Sequence, residues 1–148
     1  MDVINWNILR CLQQNARMSH TAIGKEVGIS SPAVSERIKK MEDSGIITGY
    51  FTAVSPYEMG YQLKAIITLR AFMGKLKPFL EIVKTYDEVV NCYRITGNEN
   101  IVMEVVLKNQ KHLEKFIDQL ISYGETKTQI VLSQVVKNKS LYPPSDKK

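Results

Sequence analysis

The sequence predicts an α+β chain: an N-terminal helix-turn-helix domain of three helices, winged in type, followed by a ferredoxin-like βαββαβ domain. Three observations carry this. Before Gly45, three short stretches place apolar residues at helical spacing behind an Asp or Ser that can cap them. After Gly45 the pattern changes to runs rich in β-branched and aromatic residues. From Leu63 onward, strand-like and helix-like stretches alternate in the order β-α-β-β-α-β, the split βαβ arrangement.

In the first helix Asp2 caps Val3, Trp6, Ile8, Leu9 and Leu12, and Asn15 to Met18 read as a turn. Ser19 caps a second short helix holding Ile23 and Val27, which Gly28 stops. Ser30 or Ser31 caps the third. Pro32 lies in its first turn, where a missing N–H costs nothing, and Gly45 ends it. A free-standing three-helix bundle without a ligand fits the same spacing.

The stretch IITGYFTAVSP reads as a strand or short hairpin leading away from the helices, with Pro56 and Gly60 punctuating the segment before Leu63. The expected division is 1–49 helix-turn-helix, 50–62 linker with a β-strand, 63–142 ferredoxin-like regulatory and dimerisation domain, and 143–148 frayed tail. In the second domain, strands are expected over 63–72, 88–96, IVMEVVLK and TKTQIVLSQVV, with helices from Pro78 and over Lys111 to Tyr123. The helices cover one face of the sheet. Ile67, Leu69, Val102, Val105 and Val131 are expected on the other, which makes sheet-to-sheet dimerisation the economical cover.

Composition narrows the partners. The chain has 148 residues, room for one ordinary domain or two small ones, and is 44% hydrophobic, which argues against wholesale disorder. A net charge of +5 is compatible with double-stranded DNA without demanding it. Residues 1–49 hold six basic and five acidic side chains, so binding there must come from arrangement rather than net charge. Cys11 and Cys92 sit in apolar surroundings and read as free thiols in a reducing cytoplasm. A disulfide between them would have to join the two halves. With His20 and His112 the only histidines, no metal or cofactor is expected. No signal peptide is expected, and no apolar run is long enough to span a bilayer, so no membrane partner is expected either.

The third helix is the candidate reading element. Val34, Ile38 and Met41 form its inward stripe and leave Ser31, Pro32, Ser35, Glu36, Lys39 and Lys40 on or near the opposite side. First-turn side chains there can meet base edges, while hydroxyls and cations reach phosphates. Ser19, Ser30 and Arg37 join this candidate set, and Arg17 before the second helix is a candidate backbone contact. Against this stands a plainer reading, in which the serines only cap and the Lys/Glu mixture is a solvated face. Glu36 either accepts from a cytosine amino group or pairs with Lys39 or Lys40 within the helix.

Ile8-Leu9, Asn15-Ala16-Arg17, Ile29-Ser30, Val34 with Arg37-Ile38, Gly45-Ile46-Ile47 and Gly49-Tyr50 stand in an order and spacing that resemble the Lrp/AsnC family of transcriptional regulators. The likeness continues through the second domain and its Gly97-Asn98-Glu99-Asn100 turn. It implies a sequence-recognising DNA binder that dimerises through its C-terminal sheets, often as octamers of four dimers, and responds to small effectors, commonly amino acids. It also implies that Gly97, Asn98, Glu99 and Asn100, with Tyr123, Gly124, Thr126 and Thr128, line the effector pocket. Where the family often carries aspartate, Asn100 keeps an acceptor but lacks the charge that favours an ammonium. On its residues alone, the GNEN stretch reads as a plain hairpin turn before it reads as a ligand site, and the resemblance brings the two readings level.

Two further readings remain at this point. One is a low-specificity architectural DNA-binding protein without an effector. The other rests on resemblance alone: some similar proteins act as decarboxylases in haem biosynthesis. No enzyme is expected here, because the histidines fall in different domains, Tyr93 and Arg94 point to opposite sides of a strand, and no phosphate loop or nucleophile motif occurs.

Overall fold

Asp2, Ser19 and Ser30 begin the three N-terminal helices in the computed structural model, which describes residues 1–144. α1 spans Val3–Gln14, and the Asp2 carboxylate accepts from the Asn5 N–H at 2.8 Å. α2 spans His20–Val27, with the Ser19 hydroxyl accepting from Ala22 N–H at 3.1 Å. α3 spans Ser31–Asp43, and Ser30 rather than Ser31 is its cap, accepting from Ala33 N–H at 3.4 Å. Each cap satisfies an amide that has no partner inside its helix. The turn between α2 and α3 folds back so closely that a Cβ on Gly24 would lie 2.5 Å from the Ile29 carbonyl oxygen. The core of this unit is Ile8, Leu9 and Cys11 of α1, Ile23 of α2, and Val34, Ile38 and Met41 of α3.

Beyond α3 the structure departs from expectation. The Ile46 and Ile47 amides both donate to the Met41 carbonyl, at 2.9 and 3.0 Å, and the Tyr50 hydroxyl donates to Glu42 at 2.8 Å. Residues 46–62 contain no strand and form no wing hairpin. Their β-branched and aromatic composition favours extended backbone, but a strand also needs a neighbouring backbone, and the described residues supply none here.

The chain divides into two compact units: Met1–Ala53 together with residues 136–144, and Val54–Val135. Residues 136–142, grouped with the sheet on sequence grounds, therefore cluster with the helices. Gln13 on α1 holds them from both sides, its amide nitrogen donating to the Leu141 carbonyl at 3.0 Å and its oxygen accepting from Leu141 N–H at 2.7 Å. Of the expected 143–148 tail, residues 145–148 lie outside the described residues.

In the second unit β1 (Leu63–Ala71), α4 (Leu76–Ile82) with a 3-10 turn (Val83–Thr85), β2 (Val89–Arg94), β3 (Ile101–Leu107), α5 (Gln110–Leu120) and β4 (Gly124–Ile130) succeed one another. The antiparallel sheet has the order β2-β3-β1-β4. β4 is shorter than the TKTQIVLSQVV run. Val131 N–H still donates to the Lys64 carbonyl at 2.9 Å, but β1 begins at Leu63 and offers later residues nothing to pair with.

Register decides the faces. Ala65, Ile67 and Leu69 of β1 lie beside Val105, Met103 and Ile101 of β3, and all six are fully buried under Phe79, Val83, Phe116 and Leu120. Ile67, Leu69 and Val105 thus belong to the helix-covered face, not the open one, and Val131 lies beyond the strand. The adjacent pair Ile66-Ile67 makes both alternations look apolar, and pairing rather than composition separates them. The open face carries Lys64, Ile66, Thr68 and Arg70, next to Val102, Glu104 and Val106 on one side and Glu125, Lys127 and Gln129 on the other.

Gly124 sits opposite Ala71, and a Cβ there would collide with the Arg70 carbonyl oxygen. Gly124→Ala should therefore cost about 1–3 kcal/mol, the usual range for forced overpacking, read as a lowered denaturant midpoint with the slope unchanged.

Candidate nucleic-acid interface and a polar depression

On α3, Val34, Ile38 and Met41 are buried while Pro32, Ser35, Glu36, Lys39 and Lys40 are exposed. The cations around them are not equivalent. Lys40 Nζ pairs with Glu36 Oε1 at 2.7 Å, one helical turn apart, and this bond holds the Glu36 carboxyl below its ordinary range. Lys39 has no hydrogen-bond or ion-pair partner among the described residues. Arg17 is exposed, and its backbone N–H donates to the Asn15 side chain at 3.0 Å. The hydroxyls of Ser19 and Ser30 are engaged as caps.

Arg37 does not join the outward set. Its guanidinium reaches back to α1, donating from Nη1 to Asp2 Oδ2 at 2.7 Å and to Asn5 Oδ1 at 2.8 Å, and is half-buried. It fixes α3 to the start of α1 instead of presenting a charge. Sequence reasoning grouped it with Lys39 and Lys40 because they are close in sequence, but residue 37 stands three positions after the buried Val34 and four before the buried Met41, which sets it beside the inward stripe. Asp2 serves two roles at once. The Asn5 backbone N–H, then the Arg37 guanidinium, hold its carboxyl below the ordinary value of 3.8.

The expected effector residues separate into two groups. Asn98, Glu99 and Thr126 line a polar depression of about 220 Å³ together with Thr68, Arg70, Glu125 and Lys127. Glu99 Oε1 lies 3.3 Å from Lys127 Nζ, and Arg70 pairs with Glu125 at 2.6 Å. Gly97, Asn100, Tyr123, Gly124 and Thr128 are not among its lining residues. Asn100 ties the sheet together: its Oδ1 accepts from Ala71 N–H at 2.8 Å, its N–H donates to the Leu69 carbonyl at 3.0 Å, and its carbonyl accepts from Ile95. Tyr123 packs against Phe79 with ring centroids 5.5 Å apart, and Gly124 permits the close β1–β4 approach. Thr126 and Thr128 do share a face, the helix-covered one. Thr68, Arg70, Glu125 and Lys127 were missed on sequence grounds. They are distant in the chain and meet only through the β1–β4 register.

A larger depression of about 470 Å³ lies in the helical unit, against Trp6, Leu9, Leu12, Gln13, Ile47 and Leu141. It is mainly apolar and includes no exposed position of α3. Among the described residues no cluster of His, Cys, Asp and Glu is arranged to hold a metal ion, and no helix is long and apolar enough to cross a membrane.

Comparison with known proteins places both units. A winged helix-turn-helix DNA-binding family model matches residues 1–48, and the Lrp/AsnC ligand binding domain model matches residues 64–141. The chain belongs to the Lrp/AsnC family. It is 37% identical to the HTH-type transcriptional regulator Ptr1 of Methanocaldococcus jannaschii over 82% of each chain. It is 30% identical to the HTH-type transcriptional regulator LrpB of Bacillus subtilis over 93% of each chain. The structure of E. coli AsnC superposes with a TM-score of 0.85 at 27% identity, covering 95% of this chain and 97% of that one. Members of the Lrp/AsnC family are DNA-binding transcriptional regulators, so the haem-biosynthesis reading falls away and this chain is a regulator, not an enzyme.

The bonds of Asn100 and Asp2 set two measurable outcomes. Removing the Asn100 acceptor leaves the Ala71 N–H without its partner, so Asn100→Ala should destabilise the protein by about 1–3 kcal/mol, while Asn100→Asp, which keeps an acceptor, should cost less; chemical denaturation separates the two. The second outcome concerns acid. Because the folded Asp2 value is depressed, its contribution is complete above its ordinary value of 3.8 and disappears as pH falls through the lowered folded value. Thermal melts taken from about pH 6 down to about pH 2 should show less acid-dependent loss in Asp2→Asn than in the parent protein.

Proposed function

We propose that this Lrp/AsnC regulator reads a specific DNA site with the exposed side of α3, acts as a dimer or octamer, and answers to a small effector at the turn preceding β3. The observation that carries the DNA reading is the exposed row Ser35 and Lys39, set opposite the buried Val34, Ile38 and Met41 and free of internal partners among the described residues. In this reading Ser31, Pro32 and Ser35 meet base edges, and Lys39, Lys40 and Arg17 meet phosphates. The engaged hydroxyls of Ser19 and Ser30 leave their helix starts to contribute backbone amides.

Oligomerisation is supported by the open sheet face, where Ile66, Val102 and Val106 remain apolar, and by the short reading surface of a single helix-turn-helix. The effector reading is supported by the ligand-binding family model over residues 64–141 and by the polar depression inside that span. A reducing cytoplasm suits the two free thiols, buried Cys11 and half-buried Cys92.

The test separates the two lysines. Binding to a selected operator, measured across a salt series, should lose about one unit of log–log slope in Lys39→Gln, the effect of one released phosphate contact. Glu36→Gln frees Lys40 and removes a charge that repels phosphate, so it should strengthen binding to all sequences. Ser35→Ala should shift base preference. Parent-like affinity, slope and footprint in a Ser35, Lys39, Lys40 triple variant that still folds would reject α3 as the reading element. Sedimentation at micromolar concentration should give dimers or multiples of dimers; a monomer with full operator affinity sinks the oligomer reading.

A further inference from the structure

Among the described residues, Arg37 is the one residue of α3 whose side chain hydrogen-bonds to another helix. The other side-chain bonds at α3 stay local: Ser30 caps it, Lys40 pairs with Glu36, Ser44 returns to Met41, and Glu42 holds Tyr50 beyond its end. Arg37 Nη1 donates to Asp2 Oδ2 at 2.7 Å and to Asn5 Oδ1 at 2.8 Å, while Asp2 Oδ1 accepts from Asn5 N–H at 2.8 Å. The three residues close a ring that engages both carboxylate oxygens. Such bonds weaken steeply away from their geometry, whereas the burial of Val34, Ile38 and Met41 is not directional. Packing therefore holds α3 down, and the ring decides how far it is turned about its axis.

That rotation reaches the outward side, because α3 turns as one body over so few residues. At about 100° per residue, Ser35 and Lys39 each stand about 160° around the helix from Arg37, on its far side. Outer side-chain atoms ride about 5–6 Å from a helix axis, so a turn of about 10° carries them about 1 Å. The whole span of ordinary hydrogen-bond lengths is only about 0.5 Å. Resting on the reading of DNA by α3 above, we propose that Arg37 is a positioning residue for sequence specificity: held by Asp2 and Asn5, it sets which base edges Ser35 and its neighbours meet, without itself touching DNA. Phosphate contacts made by long, flexible lysines tolerate the same displacement. The sequence-independent part of binding therefore does not depend on the ring.

Two variants of the full-length protein open the ring without altering the protein's net charge. Asn5→Ala removes one acceptor on α1 and leaves the cap of that helix in place. The double variant Asp2→Asn with Arg37→Met removes both charges together; Asn still caps α1, and Met keeps an unbranched stem on α3. Binding to a selected operator, to single-base changes of it and to unrelated DNA is measured across a salt series, at temperatures where each variant is fully folded. Discrimination against the single-base changes should fall about fivefold or more in both, the scale of one lost base contact. The salt slope and the affinity for unrelated DNA should stay parental. A role in stability alone lowers the melting temperature and leaves discrimination intact, so parent-like discrimination in either variant overturns the inference. A salt slope smaller by about one unit in the double variant overturns it as well, because Arg37 is then a phosphate contact. The Ser35, Lys39, Lys40 triple variant, run alongside, reports separately on the underlying reading: parent-like binding there removes α3 as the reading element, and the positioning role with it.

Discussion

The alternation of β1 is the constraint on which the regulatory unit depends. Leu63–Ala71 is paired on both sides, so each side chain is committed to one face along seven residues of each ladder. Ala65, Ile67 and Leu69 are thereby fixed under α4 and α5, where each is fully buried. The intervening Thr68 and Arg70 are fixed just as firmly on the open face, beside Lys127 and Glu125. A one-residue slip would exchange the two sets, placing charge in the core and the core in water. Core packing and the polar depression are therefore two consequences of a single register. Asn100 closes the end of that register, bonding to both Leu69 and Ala71.

The helical unit works by a different economy. Seven side chains make up its buried cluster, a small core for three helices. Local bonds supplement it: three side-chain caps, the double clasp of Gln13 on Leu141, and the Tyr50–Glu42 bond. Burial, then Glu42, push the Tyr50 phenol up to about 12, so its donor persists through any physiological pH. Arg37 adds an orientation constraint by joining α3 to the N-cap of α1. With its inward side held by packing and by Arg37, α3 leaves its outward side free of structural duties.

Features whose cause lies within a few residues were legible in the sequence. Asp2, Ser19 and Ser30 cap amides three residues away, and the strand and helix order reflects local periodicity. Choosing Ser30 over Ser31 required the actual backbone. The features that could not be read depend on partners far along the chain. Arg37 meets Asp2 across 35 residues, Asn100 meets Ala71 across 29, and Arg70 meets Glu125 across 55. The Ile66-Ile67 pair concealed which face of β1 was the core. Residues 46–62 had strand composition but no neighbour to pair with, and composition alone does not supply one. The family's motif residues singled out the Gly97–Asn100 turn in the sequence, whereas the cations and carboxylates beside it emerged only with the register.

Charge pairing also bears on how so neutral a helical unit binds a polyanion. Its six basic and five acidic residues before position 50 nearly cancel, yet they are not spread evenly over tasks. Asp2 is taken by Arg37, Glu36 by Lys40, and Glu42 by Tyr50. Arg17 and Lys39 are exposed and hold no such partner among the described residues. The cations beside Asp2 and Glu36 thus offset two acidic groups that would otherwise repel phosphate, while Arg17 and Lys39 stay available. A few phosphate contacts give a shallow salt dependence and a weak complex for one copy. Joining copies multiplies those contacts and raises the effective concentration of each additional reading helix. The sparse charge of the helical unit and the incompletely covered face of the sheet would both be answered by one event, the association of copies proposed above.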